Sequence, residues 1–149
     1  MSPHLLLWIL LIVPVLFLFL MKKEDLKRFM PVTLFAAVTS GIIYEIGIMA
    51  GFWYFREIAF PFVMYGAPAA ATIWVFRFTY GRFGLYLVTN AIIDLVFAFI
   101  VVPWFNRMGL IGLGTWSGLI IYLINLGHAC LLYGYQMWQE SSKTIVNKE

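Results

Sequence analysis

The sequence predicts an all-α fold, a polytopic bundle of five transmembrane helices in a single domain, residues 1–149. Five apolar stretches make up nearly the whole chain, and most are long enough for the roughly 20 apolar residues that a helix needs to cross a bilayer core. Hydrophobic residues make up 63% of the chain and charged residues 11%, against about 45–50% and about 25% in soluble domains. The basic residues are concentrated in alternate connections between the stretches.

The five predicted spans leave almost no sequence for a water-soluble module. They cover residues 5–21, 29–55, 58–76, 83–105 and 108–138, and residues 139–149 form a predicted cytoplasmic tail. Pro61, Gly66 and Pro68 interrupt the third span. Because each proline removes an intrahelical hydrogen-bond donor, we expect this helix to be kinked or broken.

The distribution of Lys and Arg predicts the orientation of the chain. Arg56 and Arg107 occupy two of the connections. The other eight basic residues lie in the alternate connections and the tail: Lys22, Lys23, Lys27, Arg28, Arg77, Arg82, Lys143 and Lys148. Since basic residues stay on the cytoplasmic side, the N-terminus is predicted outside and the C-terminus inside. This placement accounts for the net charge of +3 without nucleic acid, and the expected surroundings are the lipid bilayer.

Small residues indicate where helices approach one another. Ser40, Gly47 and Gly51 form a stripe on the second span, and Gly114 and Gly118 form a GxxxG pair in the fifth. In lipid, small side chains let helix backbones come close. We interpret both stripes as intramolecular packing surfaces in preference to a dimer interface.

Aromatic residues near the span ends predict two interfacial belts. The predicted outer belt includes Trp53 and Trp104, and the predicted inner belt includes Trp74, Tyr80 and Tyr133.

A polar cluster within the apolar spans is the candidate functional site. Glu45, Asp94 and His128 are ionisable groups at membrane depth, where a charge costs roughly 2.5–3.5 kcal/mol on insertion scales. Asn90 and Asn125 lie on the same helix faces as Asp94 and His128, respectively. We expect Asp94 and His128, which lie at the same depth, to contact each other or to share one of these amides.

Three functional hypotheses remain open from the sequence. The cluster lines a proton, cation or small-solute path, or its members are structural hydrogen-bonding groups in an accessory subunit of a membrane complex, or the chain is a membrane enzyme acting on a lipid-like substrate. The sequence contains no HExxH, GxSxG or Walker A motif, and we predict no catalytic residue, metal or cofactor. A homo-oligomer or a membrane protein partner fits the first two hypotheses.

Several short motifs of the sequence are similar to those of a known group of proteins. They are Met30-Pro31-Val32, Trp53-Tyr54, Tyr65-Gly66-Ala67-Pro68 and Arg77-Phe78-Thr79-Tyr80-Gly81-Arg82-Phe83. In these the chain resembles small uncharacterised multi-span membrane proteins of spore-forming Gram-positive bacteria. The resemblance implies a bacterial cytoplasmic membrane and assigns no catalytic residue.

Overall fold

The computed structural model describes residues 3–55 and 60–146, with the side chains of residues 5–55 and 67–142. Within these residues the chain is mostly helical, as predicted, and forms five helices and one short ribbon. The elements in chain order are α1 (Pro3–Phe17) with a 3₁₀ turn (Leu18–Leu20), α2 (Lys23–Met49), β1 (Trp53–Phe55), α3 (Phe60–Thr79), α4 (Phe83–Arg107), β2 (Ile111–Leu113) and α5 (Ser117–Val146). The predicted positions Arg56 and Ile58 lie outside the described residues.

Three of the described helices, α2, α4 and α5, are long and apolar enough to cross a membrane. A helix of 25 residues, the length of α4, is about 38 Å long at ~1.5 Å per residue, against a hydrocarbon core of about 30 Å. The outward faces are apolar: Val38, Ile42 and Ile46 of α2 are each more than half exposed. Such a surface is solvated by lipid, and the chain is a membrane protein.

Four helices enclose the centre of the molecule. In this four-helix bundle α2 packs against α3, α3 against α4, α4 against α5, and α5 against α2. Helix α1 packs on the outside, mainly against α3. The centre of the bundle is therefore reached by side chains of all four helices.

A two-stranded ribbon replaces the helical ends predicted at one end of the bundle. Strands β1 and β2 are antiparallel, with Tyr54 opposite Gly112. Helix α2 ends at Met49 because the chain turns at Gly51, whose φ of +74° is a conformation that favours glycine. The predicted helical spans to residue 55 and from residue 108 were wrong at these ends. We call this the ribbon end.

The small residues have several roles in the structure. Gly47 lies directly beneath the indole of Trp53, so that a Cβ there would overlap the indole. Gly114 precedes α5 and touches the backbone of the turn after α2. Gly118 packs against the ring of Phe99 and is the glycine that brings α5 close to α4. Of the predicted GxxxG pair in the fifth span, Gly118 therefore lies in helix α5 and Gly114 lies before it.

At the opposite, basic end, charged side chains tie three helices together. Arg28 of α2 donates to both carboxyl oxygens of Glu140 on α5, at 2.5 and 3.0 Å. The fully buried Gln136 donates to the same carboxylate at 3.0 Å. Arg77 at the end of α3 lies 3.3 Å from Asp25. These contacts place the start of α2 and the ends of α3 and α5 side by side.

Tyr80 completes the contacts at the basic end. Burial, together with the neighbouring Glu140 carboxylate, raises the pKa of Tyr80 to about 12. The phenol therefore stays protonated at neutral pH and donates a hydrogen bond to Glu140. Helix α5 continues to Val146, so most of the segment predicted as a tail, residues 139–149, is helical.

Helix α3 is continuous through Pro68, so the break that the sequence allowed does not occur, and the predicted kink stays a prediction. Pro61 lies in the first turn, where a missing N–H is tolerated. The Thr72 hydroxyl donates to the Pro68 carbonyl at 2.9 Å.

Candidate functional site

A cavity of about 290 Å³ lies inside the four-helix bundle. Its polar lining comes from α2 to α5 and consists of Ser40, Tyr44, Thr72, Asn90, Asp94, Asn125 and His128. Four of the five predicted cluster residues, Asn90, Asp94, Asn125 and His128, are thus brought together. Ser40, predicted as a packing residue, also faces this cavity.

Glu45, the fifth predicted member, does not line the cavity, and its side chain is exposed. The predicted depth of Glu45 assumed a helix that reaches residue 55. Because α2 ends at Met49, Glu45 lies four residues from the helix end, about 6 Å at ~1.5 Å per residue. It is therefore close to the ribbon end and not at the centre of the bundle.

Asp94 on α4 is the acidic group of the cavity. Asn125 on α5 forms a hydrogen bond with the Asp94 carboxyl. The prediction that Asp94 and His128 contact each other or share an amide stays a prediction, because the hydrogen bond that the structure gives to His128 is with Thr39. The second carboxyl oxygen, Oδ2, is buried and has no hydrogen-bond partner among the described residues. A buried polar atom of this kind has a strong requirement for a partner.

His128 is held by a residue that was not singled out from the sequence. The Thr39 hydroxyl lies 2.7 Å from the Phe35 carbonyl and 2.6 Å from Nε2 of His128. A hydroxyl has one hydrogen, and the carbonyl can only accept. Thr39 therefore donates to Phe35, and Nε2 of His128 donates to Thr39. In the neutral imidazole Nδ1 is consequently the acceptor.

Tyr86 fixes α4 against α5 beside the cavity, and Asn90 bonds within α4. The Asn90 amide donates to the carbonyl of Tyr86 one turn earlier, at 2.8 Å. The buried Tyr86 hydroxyl donates to the carbonyl of Ala129 on α5, at 2.9 Å. Because Ala129 follows His128 directly, this bond also sets the depth of His128 relative to Asp94.

The turn after Asp94 has π-helical geometry, over residues Phe97–Val101. Short π-helical segments within α-helices are rare and occur frequently at functional sites. Phe97 and Val101 both line the cavity. The widened turn thus forms part of the wall that carries Asp94.

Four aromatic side chains close the cavity toward the basic end. This aromatic layer takes one residue from each helix of the bundle: Phe29, Phe76, Tyr86 and Tyr133, all buried. Its ring centroids lie 5.8 Å apart for Phe29 and Phe76, and 4.9 Å apart for both Phe76 with Tyr86 and Tyr86 with Tyr133. Tyr133 was predicted at the membrane interface, but it lies inside this layer.

An apolar core closes the cavity toward the ribbon end. It contains Trp53 and Ile111 of the ribbon, Val102 and Phe105 of α4, and Leu7 of α1. Phe105 also lines the cavity. Packed side chains therefore separate the cavity from both ends of the bundle.

Among the described residues that line the cavity, Asp94 is the one acidic side chain. No Lys or Arg occurs among the described residues that line it. Arg28 and Arg77 lie at the basic end, beyond the aromatic layer, and are engaged with Glu140 and Asp25. In the described part of the chain, no group of three or more His, Cys, Asp or Glu side chains is arranged to hold a metal ion.

Comparison of the chain with protein-family models, with curated proteins and with solved structures gives no significant match. The function proposed below is argued from the geometry and chemistry of the cavity.

Proposed function

We propose that this membrane protein binds a small organic cation in the cavity of the four-helix bundle, with Asp94 as its counter-ion. The observation that carries the proposal is the buried Oδ2 of Asp94, which has no partner within the described residues. A carboxylate inside a membrane requires either a proton or a positive charge. The ligand supplies that charge and displaces the proton.

The lining favours an ammonium group over a metal ion. A hard metal cation is usually held by several carboxylates, whereas Asp94 is the one acidic residue among the described residues that line the cavity. Tyr44, Phe97 and Phe105 present aromatic side chains to the same space, and aromatic faces attract alkylammonium ions. Most of the remaining lining is aliphatic, which suits the carbon substituents of such an ion.

The closure of the cavity favours a binding site over an open channel. A conducting path has to be continuous from one membrane face to the other, whereas the aromatic layer and the ribbon-end core obstruct both directions. Movement of a ligand to either face would require a rearrangement of the bundle. A site that is obstructed toward both membrane faces is typical of carriers and of ligand-sensing membrane proteins.

Tetramethylammonium is expected to bind the purified full-length chain in nanodiscs, and to bind less tightly as the pH is lowered. A proton and the cation compete for the same carboxyl oxygen of Asp94, so acid must weaken the binding of the ion. The measurement is equilibrium binding of radiolabelled tetramethylammonium between pH 5.5 and pH 8, with sodium chloride added to keep ionic strength constant. Absence of saturable binding across this range would contradict the proposal.

We further propose that the protein resides in a bacterial cytoplasmic membrane with the basic end inside. The contacts of Arg28 and Arg77 gather the predicted cytoplasmic residues at one end, which supports this orientation. A reporter fused after Glu149 should therefore be cytoplasmic, and one fused before Met1 extracytoplasmic. An extracytoplasmic C-terminal reporter would contradict the orientation without affecting the cavity.

A further inference from the structure

A second, wholly apolar space adjoins the cavity on the outside of α3. This α1–α3 groove has a volume of about 510 Å³, and its walls include Val13 and Phe17 of α1 and Trp74 of α3. Val13 and Phe17 are 41% and 51% exposed. The groove thus opens along the lipid-facing surface of the molecule.

The groove and the cavity share a wall and lie at the same depth. Ala67 and Ala71, one helical turn apart on α3, line both spaces. On α1, Leu10 reaches the cavity and Val13, three residues later, lines the groove. Among the residues whose side chains are described, α3 therefore contributes to the shared wall only the methyl groups of two alanines.

We propose that the ligand is a single-chain amphiphile with a cationic ammonium head, which enters sideways from the bilayer. Its head lies in the cavity against Asp94, and its hydrocarbon chain lies in the α1–α3 groove. This inference rests on the proposed function, since it identifies the class of cation that the same site binds.

The volumes of the two spaces and the charge of the cavity lining both favour this class of ligand. The cavity has the volume of about ten water molecules at ~30 Å³ each, enough for a trialkylammonium head but not for a long chain. The groove offers an apolar trough from Ala67 to Trp74, about 10 Å long at ~1.5 Å per residue. A phosphate-bearing lipid is disfavoured, because no Lys or Arg among the described lining residues is available to a phosphate.

The sideways route also agrees with the closure of the bundle. The aromatic layer and the ribbon-end core obstruct entry from the two membrane faces, whereas the shared wall separates the cavity from lipid by small side chains. A ligand that partitions into the bilayer reaches this wall directly. The head then passes between α1 and α3, beside Ala71, whose side chain is exposed.

The test compares three radiolabelled probes on the full-length chain in nanodiscs: tetramethylammonium, dodecyltrimethylammonium and dodecylphosphocholine. The Val13→Trp variant fills the groove. Val15→Trp is its matched control, because Val15 lies on the same helix, is also 41% exposed and lines neither space. Empty nanodiscs measure the partition of each probe into lipid.

Val13→Trp is expected to weaken the binding of dodecyltrimethylammonium at least tenfold relative to Val15→Trp, and to leave that of tetramethylammonium within twofold. Dodecylphosphocholine should bind at least tenfold more weakly than dodecyltrimethylammonium, because its phosphate, between the ammonium group and the chain, would lie at the apolar shared wall without a basic partner among the described residues. Equal binding of dodecyltrimethylammonium to the two variants would overturn the role of the groove, and tight binding of dodecylphosphocholine would overturn the charge selectivity.

The outcomes separate this inference from the proposed function. If tetramethylammonium binds saturably but Val13→Trp has no effect on the long-chain probe, the cation site stands and the groove does not bind the chain of the ligand. If neither cation binds saturably to the wild-type chain, the proposed cation site is contradicted. Thermal unfolding of the two tryptophan variants establishes that each is folded before its affinity is compared.

Discussion

Replacing Gly47 by alanine is expected to destabilise the protein by about 1–3 kcal/mol, the usual cost of forcing extra atoms into a packed core. A Cβ at this position would overlap the indole of Trp53. The indole has little freedom to move, since it is only 3% exposed and donates to the carbonyl of Tyr44. Thermal unfolding in detergent or nanodiscs measures the effect.

Gly127→Ala is the matched control within a helix. Gly127 lies in α5, and a Cβ there would meet no atom within 4 Å. Alanine favours the helix over glycine by up to about 1 kcal/mol, so this variant should be at least as stable as the wild type. Equal unfolding temperatures for Gly47→Ala and Gly127→Ala would show that Trp53 does not pack on Gly47. The described packing of the ribbon against α2 would then be contradicted.

The ribbon shows why the ends of the predicted spans were wrong. Residues 46–55 are almost uniformly apolar, and hydropathy alone does not distinguish a helix from a short buried strand. The decisive events are the left-handed turn at Gly51 and the pairing of Trp53 with Leu113, 60 positions away in the chain. A pairing over such a separation has no local signal.

The error in the position of Glu45 follows directly from that boundary. The sequence placed Glu45 deep in the membrane only because the second helix was predicted to continue through residue 55. Asp94 and His128 both line the cavity, although α5 extends beyond the predicted end of its span at residue 138. Depth estimates from sequence are thus only as good as the helix ends.

The partners of the cluster were only partly accessible to sequence reasoning. Asn125 was expected near Asp94 because it shares a helix face with His128. Thr39 was missed, since a threonine hydroxyl in an apolar span often bonds to its own helix. Tyr86 was missed because its bond to Ala129 depends on how α4 packs against α5. Thr39 does so with Phe35 and also accepts from His128, a contact that depends on how α2 and α5 pack.

The aromatic layer has a similar explanation. Tyr133 lies near a span end, where aromatic residues usually mark the membrane interface. In this protein Gly134 and Tyr135 follow it, and α5 continues for several turns to Val146. Tyr133 is therefore farther from the helix end than the predicted span implied and is available to close the bundle.

Asp94→Asn should strongly weaken the binding of tetramethylammonium, whereas Glu45→Gln should not. Removing one partner of a buried charge pair costs about 2–5 kcal/mol, which corresponds to a loss of at least roughly 30-fold in affinity. The amide introduced by Asp94→Asn has nearly the same shape as the carboxyl and can retain a hydrogen bond to Asn125. Glu45 is the matched control, because it is a carboxylate within an apolar span whose side chain lies outside the cavity.

The most direct measurement of the central claim is therefore the dissociation constant of radiolabelled tetramethylammonium for three chains at pH 8: wild type, Asp94→Asn and Glu45→Gln. Each chain is first shown to be monodisperse and to unfold cooperatively. We predict saturable binding to the wild type, a loss of at least about 30-fold for Asp94→Asn, and an affinity within twofold of wild type for Glu45→Gln. Wild-type affinity in Asp94→Asn would contradict the assignment of Asp94 as the counter-ion in the cavity.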